Sequence, residues 1–357
     1  MKKSDILKFI ASILSYKTDN KYIIDYCGKF ITEWDFFIKI ASKHLVLPTV
    51  YCRLKTRGLL HILPVDLELY LKEITSLNNL RNKSLLLQAE QINTLFKSHN
   101  IDYVFLKGMA LLKGNYYNNI AERMIGDIDI LVHSNDIYKA NQILQEAGYY
   151  SINDNNNETL FNHRHLPRLV SDKYIGAIEL HDKLLSSNFL LNLEETAFLK
   201  YKIMVNNIPI PINRSLLEHN IFNFQLNDNA FIYGTFSLRN AYDTIVILKK
   251  DSLVLNLNNM FQKSIYRNYF YLLSTFFETP MLKKNKSISF VITCFFIVIM
   301  NHPKLNQVYK FFVNSIKYFF ILLSRFKVFL FKKKYREQVL LHRTQITTHV
   351  YNFFSNL

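Results

Sequence analysis

Cysteine, glycine and proline are scarce in this chain of 357 residues, which contains 3, 8 and 7 of them respectively. The three cysteines, Cys27, Cys52 and Cys294, are odd in number and far apart, which excludes a disulfide framework, and no Cys-x-x-Cys pair points to a zinc site. This cysteine usage fits a reducing compartment, and we predict a cytoplasmic location. The shortage of glycine and proline also argues against long flexible linkers.

Long uninterrupted apolar segments are also missing. The most apolar run, residues 287–300, is fourteen residues long, shorter than the roughly 20 that a membrane-spanning helix needs. Residues 311–331 are longer but contain three cationic side chains. Near the N-terminus, Asp5 and Lys8 interrupt the apolar run that a secretory signal requires. We therefore predict a soluble chain with no transmembrane span.

Acidic residues are nearly absent from the last part of the chain. From Met281 onward, 13 Lys and Arg stand against one acid, Glu337, so this segment carries +12 of the total net charge of +16. Apolar residues within 311–331 recur at helical spacing, which predicts a basic amphipathic helix. Such a helix can bind RNA phosphates, dock on an anionic membrane surface or only pack against a core. The sequence leaves these three outcomes open, and the second would place the chain at the periphery of the inner membrane.

Apolar and aromatic residues are abundant, at 49% and 15% of the chain, as in globular proteins. Their helical spacing through residues 1–98 predicts an N-terminal helical region, broken at Pro48 and Pro64. In residues 99–250, short β-rich segments alternate with helical ones, and residues 251–357 form a basic helical region. The predicted class is α+β, a small mixed sheet embedded in a mostly α-helical protein. The predicted strands are 101–106, 128–132 and 174–181; the predicted helices between them are 109–117 and 135–147, the latter capped by Ser134 and stopped by Gly148, and helices return from about residue 190.

Two aspartates stand two residues apart in the second predicted strand. Because side chains alternate across a strand, Asp127 and Asp129 project from one face while Ile128 and Ile130 point to the other. Neighbouring carboxylates repel each other unless a cation lies between them, and such hard oxygen ligands suit Mg²⁺ or Mn²⁺. Glu179 is the candidate third carboxylate, since an acid between apolar strand residues is costly without a purpose. The pattern predicts two divalent ions about 4 Å apart that promote phosphoryl transfer.

A lysine and a glycine follow the first predicted strand. Gly108 lets the backbone approach a ligand closely, the helix after it offers free N–H groups to phosphate, and Lys107 adds a positive charge. Arg123, four residues before Asp127, is a candidate clamp for phosphate oxygens.

Four further polar residues carry weaker signals. His181 shares a strand face with Glu179, where it either orients an acceptor or a water molecule or is a structural histidine. A zinc site of His163, His165 and His181 is less expected than ordinary surface histidines. Asp243 either positions a loop or, as the simpler account, forms a salt bridge on a helix face.

Four segments carry the combined pattern: Phe105-Leu106-Lys107-Gly108, residues 123–132, Gly148-Tyr149 and Ile178-Glu179-Leu180-His181. Together they resemble an uncharacterised bacterial nucleotidyltransferase family within the DNA polymerase β-like superfamily. The resemblance covers about residues 30–250, with weaker matches at 34–51, 163–167 and 238–243. The wider superfamily has Gly-Ser at the nucleotide turn, where this chain and the smaller family have Lys-Gly.

The resemblance implies a nucleotidyltransferase core with a helical extension in residues 99–250. It implies that Asp127, Asp129 and Glu179 bind two Mg²⁺ or Mn²⁺ ions and that Lys107-Gly108 holds the triphosphate of an NTP. The implied reaction moves a nucleoside monophosphate to a hydroxyl acceptor, and family members are often associated with surface-polysaccharide genes, which favours a sugar or small molecule. The alternatives are transfer to tRNA or protein, as in superfamily toxins, and a non-catalytic binding protein that retains the fold.

Overall fold

The computed structural model describes residues 2–30, 33–151, 165–185, 193–251, 264–277 and 288–341. Its N-terminal part is helical, as predicted. Pro48 lies in the first turn of one helix, and Pro64 directly precedes another whose first turn carries Asp66 and Glu68, which suits the positive end of a helix dipole. The helices are Lys3–Leu14 (α1), Asn20–Phe30 (α2), Trp34–Lys43 (α3), Leu47–Thr56 (α4) and Val65–Ser98 (α5), with a 3₁₀ turn at Leu60–Ile62.

A five-stranded mixed sheet follows, in the order β1-β2-β5-β4-β3. The central pair, β2 and β5, is parallel, and the other neighbours are antiparallel. The strands are Tyr103–Phe105 (β1), Asp127–Val132 (β2), Tyr150–Ser151 (β3), Leu169–Val170 (β4) and Ala177–His181 (β5); the helices among them are Lys107–Lys113 (α6) and Ile137–Glu146 (α7), with a 3₁₀ turn at Ile120–Glu122. A small mixed sheet in a mostly helical protein confirms the predicted α+β class.

The helix after β2 differs slightly from its prediction. It begins at Ile137, and Ser134 does not cap it. The reason is a turn ahead of the helix, in which the Asp136 N–H donates to the His133 carbonyl at 2.9 Å. Gly148 follows the helix with φ +89°, a conformation that favours glycine, so the predicted stop is confirmed.

A β-hairpin contradicts the prediction that only helices follow residue 190. After Glu195–Lys200 (α8), strands Lys202–Val205 (β6) and Ile208–Pro211 (β7) pair in antiparallel fashion. Asn206 and Asn207 connect them, both with positive φ, at 49° and 63°. Asparagine tolerates this left-handed conformation, which two-residue hairpin turns require.

Helices return after the hairpin. Within the described ranges they are Asn213–Phe222 (α9), which continues as a π-helical segment Asn223–Asn227, then Ala230–Tyr233 (α10), Leu238–Lys250 (α11), Ser264–Phe276 (α12), Ile288–Asn301 (α13), Pro303–Phe331 (α14) and Lys333–Leu341 (α15).

Internal contacts divide the chain into two units, residues 1–293 and 294–357. The boundaries predicted at residues 98 and 250 stay predictions. No single helix among the described residues is both long and apolar enough to span a membrane. Helices α13 and α14 meet the length and hydropathy of a span only when taken together, and they are bent by 119° at their junction.

Helix α5 holds the backbone that leads into β2. The Asn82 side-chain amide donates to the carbonyls of Ile120, at 2.6 Å, and Arg123, at 2.8 Å. One turn earlier, Asn78 donates to the Ala121 carbonyl at 2.7 Å, and between them Arg81 donates to the Ile125 and Gly126 carbonyls. Asn82 is fully buried and Asn78 nearly so, so these bonds satisfy carbonyls that would otherwise be costly to bury.

The same helix holds the entry to β5. Gln88 donates from Nε2 to the Gly176 carbonyl at 2.8 Å and accepts from the Gly176 N–H through Oε1 at 2.9 Å. A Cβ on residue 176 would lie 2.6 Å from that Oε1 and 2.5 Å from Leu85 Cδ2, so a larger residue would displace Gln88 or Leu85 from this approach. One helix therefore positions the start of both central strands.

Replacing Asn82 with alanine should destabilise the protein, because two buried carbonyls lose a donor. We expect the free energy of unfolding, measured by urea denaturation, to fall by about 2–3 kcal/mol. Ser84→Ala on the exposed side of the same helix is the control and should change it by less than about 0.5 kcal/mol. Equal losses in the two variants would contradict the role given to Asn82.

Candidate active site

The pairing of β2 with β5 brings two acids together. In this parallel register Asp127 lies opposite Ala177, Asp129 opposite Glu179, and Leu131 opposite His181. Partners in a register point to the same side of the sheet, so Asp129, Glu179 and His181 share one face. Ile128, on the other face, is fully buried. The register therefore brings Asp129 and Glu179 together, as the sequence predicted for acids from two strands.

His181 lies between these two acids. Its Nε2 is 2.9 Å from Asp129 Oδ1 and 3.6 Å from Glu179 Oε2, and its side chain is 2% exposed. The ring of His165 meets the His181 ring edge-on, with 5.3 Å between centroids. His181 is therefore part of the acidic cluster, whereas His163 lies outside the described residues.

Two cations from elsewhere in the fold contact the aspartates. Lys107 Nζ contacts Asp129 Oδ1, and Arg168, just ahead of β4, contacts Asp127 Oδ1. Burial alone would raise the pKa of Asp129, but the Lys107 charge and the hydrogen bond with His181 outweigh it and hold that pKa below its ordinary value. Asp129 is thus held as a carboxylate.

The other two acids differ in their surroundings. The close contact with His181 lowers the pKa of Glu179, against the opposing effect of burial. Burial raises the pKa of Asp127, with the charges of Glu179 and Asp129 adding to the rise and Arg168 opposing it. The charges of both neighbouring acids thus act on the Asp127 carboxyl group. A cation placed among the three acids would relieve the repulsion between their carboxylates.

The turn between β1 and α6 delivers Lys107. Lys107 has φ +48°, a conformation that residues with a side chain rarely adopt outside functional or tightly packed sites. A Cβ on Gly108 would lie 2.9 Å from Ile125 Cγ1 and 3.7 Å from Arg123 Cζ. Glycine at this position therefore lets α6 begin close against the segment that leads into Asp127.

Arg123 is bound inside the protein. Its Nε donates to Asp243 Oδ1 at 2.9 Å and Oδ2 at 3.2 Å, and its Nη1 donates to the Met124 carbonyl. Asp243, on α11, also accepts from Tyr117 and is 2% exposed. The expectation of a salt bridge along one helix face was wrong for Asp243, because its partners come from the segment before β2. Arg123 as a phosphate ligand stays a prediction.

The donor set fits a divalent cation. One ligand atom each from Asp129, Glu179 and His181 lies within 4.8 Å of the others. Carboxylate oxygens suit Mg²⁺ and Mn²⁺, and an imidazole nitrogen favours softer divalent ions. Asp127, predicted with Asp129 and Glu179 as a carboxylate ligand, contacts Arg168 in this structure, and its metal role stays a prediction.

A partly buried carboxylate cluster on adjoining strands, beside a lysine at a glycine turn, defines a candidate site for a metal ion and a phosphate group. The sequence profile of a family described as uncharacterised nucleotidyltransferase matches residues 32–262, more than half of the chain. The chain belongs to this nucleotidyltransferase family, and the predicted resemblance is confirmed. No curated protein and no solved structure matches it.

Sequence patterns missed Arg168 and undervalued His181. Arg168 follows Pro167 directly, and a cation just ahead of the third predicted strand was the available signal. His181 was weighed as a structural histidine, although its position two residues after Glu179 already placed it on the acidic face. Neither contact could be derived without the strand register.

Removing one ligand of the cluster should weaken metal binding. We expect Glu179→Gln and His181→Ala each to reduce the affinity for Mn²⁺, measured by isothermal titration calorimetry, by at least about tenfold. Asp102→Asn is the control, since Asp102 is exposed and paired with Lys202. Unchanged Mn²⁺ affinity in both folded variants would exclude this cluster as the metal site.

Proposed function

We propose that this protein transfers a nucleoside monophosphate from an NTP to a hydroxyl group of a sugar or other small molecule. The observation that carries the proposal is the register of Asp129 opposite Glu179, beside the turn that bears Lys107. Family membership supports the reaction class. The choice of acceptor follows the resemblance to proteins associated with polysaccharide genes.

Each residue of the site has an assigned role. Asp129, Glu179 and His181 would hold one divalent cation, and Asp127 with Asp129 would hold a second. Bound Mg²⁺ or Mn²⁺ would neutralise charge on the phosphates and lower the pKa of the acceptor hydroxyl. Lys107, with the backbone N–H groups after it at Gly108, would bind the triphosphate once a cation takes over the neutralisation of Asp129.

The reaction is a substitution at phosphorus. The acceptor oxygen forms a bond to the α-phosphorus, the bond from that phosphorus to the bridging oxygen breaks, and pyrophosphate leaves with the bonding electron pair. We assign the hydroxyl proton to Glu179, which is the more exposed of the two paired acids, at 18% against 9% for the Asp129 side chain. Catalysis would rest on positioning and charge stabilisation.

Two rival functions remain: the first uses the same site with a different acceptor, and the second does not use the site for catalysis. Transfer to a tRNA end or to a protein would keep every assigned role and change only the acceptor. A non-catalytic binding protein would have no use for the cluster, and a buried Asp129 that needs Lys107 and His181 to stay ionised is costly to retain without one.

Neutralising the aspartates tests the proposed reaction. The chain is incubated with each labelled NTP, with Mg²⁺ or Mn²⁺ and with candidate sugars, tRNA or protein, and pyrophosphate release is measured. We expect Asp129→Asn to lower turnover at least about a hundredfold, since preorganised charge stabilisation of that size is lost, and Asp127→Asn to act in the same direction. Asp136→Asn, at the start of α7, is the control. Full activity in both Asp127→Asn and Asp129→Asn would exclude the mechanism.

A second proposal concerns helix α14. We propose that it docks on an anionic membrane surface. None of its residues is buried, and thirteen of its large apolar side chains are at least 37% exposed. Phe312, Ile316 and Phe319 follow one face at helical spacing, and Lys310 and Lys317 lie on the opposite face. The exposed aliphatic side chains, such as Ile316, favour a lipid surface over RNA, because they gain free energy in the acyl region and do not stack on bases.

Removing one phenylalanine tests this docking. Phe319→Gln should weaken co-sedimentation of the full chain with vesicles of phosphatidylcholine and phosphatidylserine by at least about tenfold, from the lost apolar burial. Ser324→Gln, on the opposite face of α14, should bind like the unaltered chain. Binding to vesicles of phosphatidylcholine alone should be weaker in every case. Equal vesicle binding by the two variants, or binding to single-stranded RNA with none to vesicles, would contradict the proposal.

A further inference from the structure

A cavity of about 110 Å³ is lined in part by Lys107, and its lining does not include Glu179 or His181. Its walls come from α6, α9, the π-helical segment after α9, and α11, with Arg123 from the segment before β2. The cationic and acidic side chains in this lining are Lys107, Arg123, Arg239, Asp228 and Asp243. The cavity therefore adjoins the candidate active site through the lysine they share.

Arg239 is the unusual member of this lining. Among the residues that the structure describes, Arg123 binds Asp243, Lys107 binds Asp129, and Arg239 makes no hydrogen bond or ion pair. The neighbouring charge of Arg123, together with burial, lowers the pKa of Arg239 to about 10, against the opposing charges of Asp243 and Asp228. It remains a cation at neutral pH, held next to another cation.

Asp243 does not form with Arg239 the ion pair that it forms with Arg123. Its carboxylate already accepts from Arg123 through both oxygens and from Tyr117. Asn240 and Asn220, which line the same cavity, bind each other, with Asn240 Nδ2 donating to Asn220 Oδ1 at 2.8 Å. The wall is thus polar, and its charged side chains are three cations against two acids, Asp228 and Asp243.

We propose that this cavity is an oxyanion subsite in which Arg239 binds a phosphate or carboxylate group of a substrate. A planar guanidinium offers paired N–H donors to such an anion, and the adjacent Lys107 and Arg123 charges strengthen the attraction. An anion there would also offset the repulsion between Arg123 and Arg239.

Two sources can supply the anion, and both rest on the proposed function: the terminal phosphates of the NTP, or an acidic group on the acceptor. The cavity shares Lys107 with the turn that would hold the triphosphate, so either group lies within reach of the same lysine. In the second case the acceptor would be a phosphorylated or carboxylated compound, which narrows its chemical class.

Binding measurements on the full chain test the subsite without requiring turnover. The probes are pyrophosphate, inorganic phosphate and each NTP with Mn²⁺, measured by isothermal titration calorimetry. We expect Arg239→Gln to weaken pyrophosphate or phosphate binding at least about tenfold, the loss typical of a charge-assisted hydrogen bond. Arg239→Lys should recover part of the affinity, since it keeps the charge but loses the paired donors. Arg214→Gln is the matched control, because Arg214 lies exposed on α9 and pairs with Glu218.

The outcomes of these measurements distinguish the two sources of the anion. They also distinguish failure of the subsite from failure of the proposed function. Loss of NTP affinity in Arg239→Gln assigns the anion to the triphosphate. Unchanged NTP affinity with loss of phosphate binding at saturating NTP assigns it to the acceptor. Anion binding that depends on Arg239 stands even if no turnover is found, in which case only the proposed function fails. No anion binding by the unaltered chain, or equal binding by the Gln and control variants, overturns the subsite.

Discussion

Hydrogen bonds from one helix to two stretches of backbone are the constraint on which the rest of this structure depends. Helix α5 binds the carbonyls ahead of β2 through Asn82 and its neighbours, and it binds Gly176 ahead of β5 through Gln88. Both contacts are buried, so water cannot replace the amides or the carbonyls as hydrogen-bond partners. Since the two strands start from fixed points on the same helix, their relative register is fixed as well.

That register concentrates charge, and the surrounding fold must compensate it. Asp129 meets Lys107 and His181, Asp127 meets Arg168, and Arg123 meets Asp243. Each of these partners comes from a different segment of the chain. Lys107 and His181 keep the buried Asp129 ionised, and the charged form of a carboxylate is the one that binds metal. The family assignment gives this arrangement its reaction class, and the proposed subsite around Arg239 would add an anion site beside it.

Much of the chemistry was accessible from local patterns. The alternation Asp127-Ile128-Asp129 predicted one polar and one apolar face, and Ile128 and Ile130 are indeed buried. The glycine stop at Gly148, the three main strands and the α+β class were also predicted correctly. The hairpin at 202–211 was missed because it depends on the left-handed backbone conformation of Asn206 and Asn207. The periodic spacing of apolar residues does not reveal that conformation.

The sequence by itself determined which residues can bind a cation or a phosphate and which face of a strand they occupy, because side-chain chemistry and the two-residue period of a strand are local properties. Only the tertiary structure decided that Asp129 stands opposite Glu179, that Lys107 and Arg168 neutralise different aspartates, and that Arg239 is left beside Arg123. Those outcomes depend on contacts between segments that are far apart in the sequence, some of them by about a hundred residues or more. Strand register and the choice of ion-pair partners follow from the packing of the whole core.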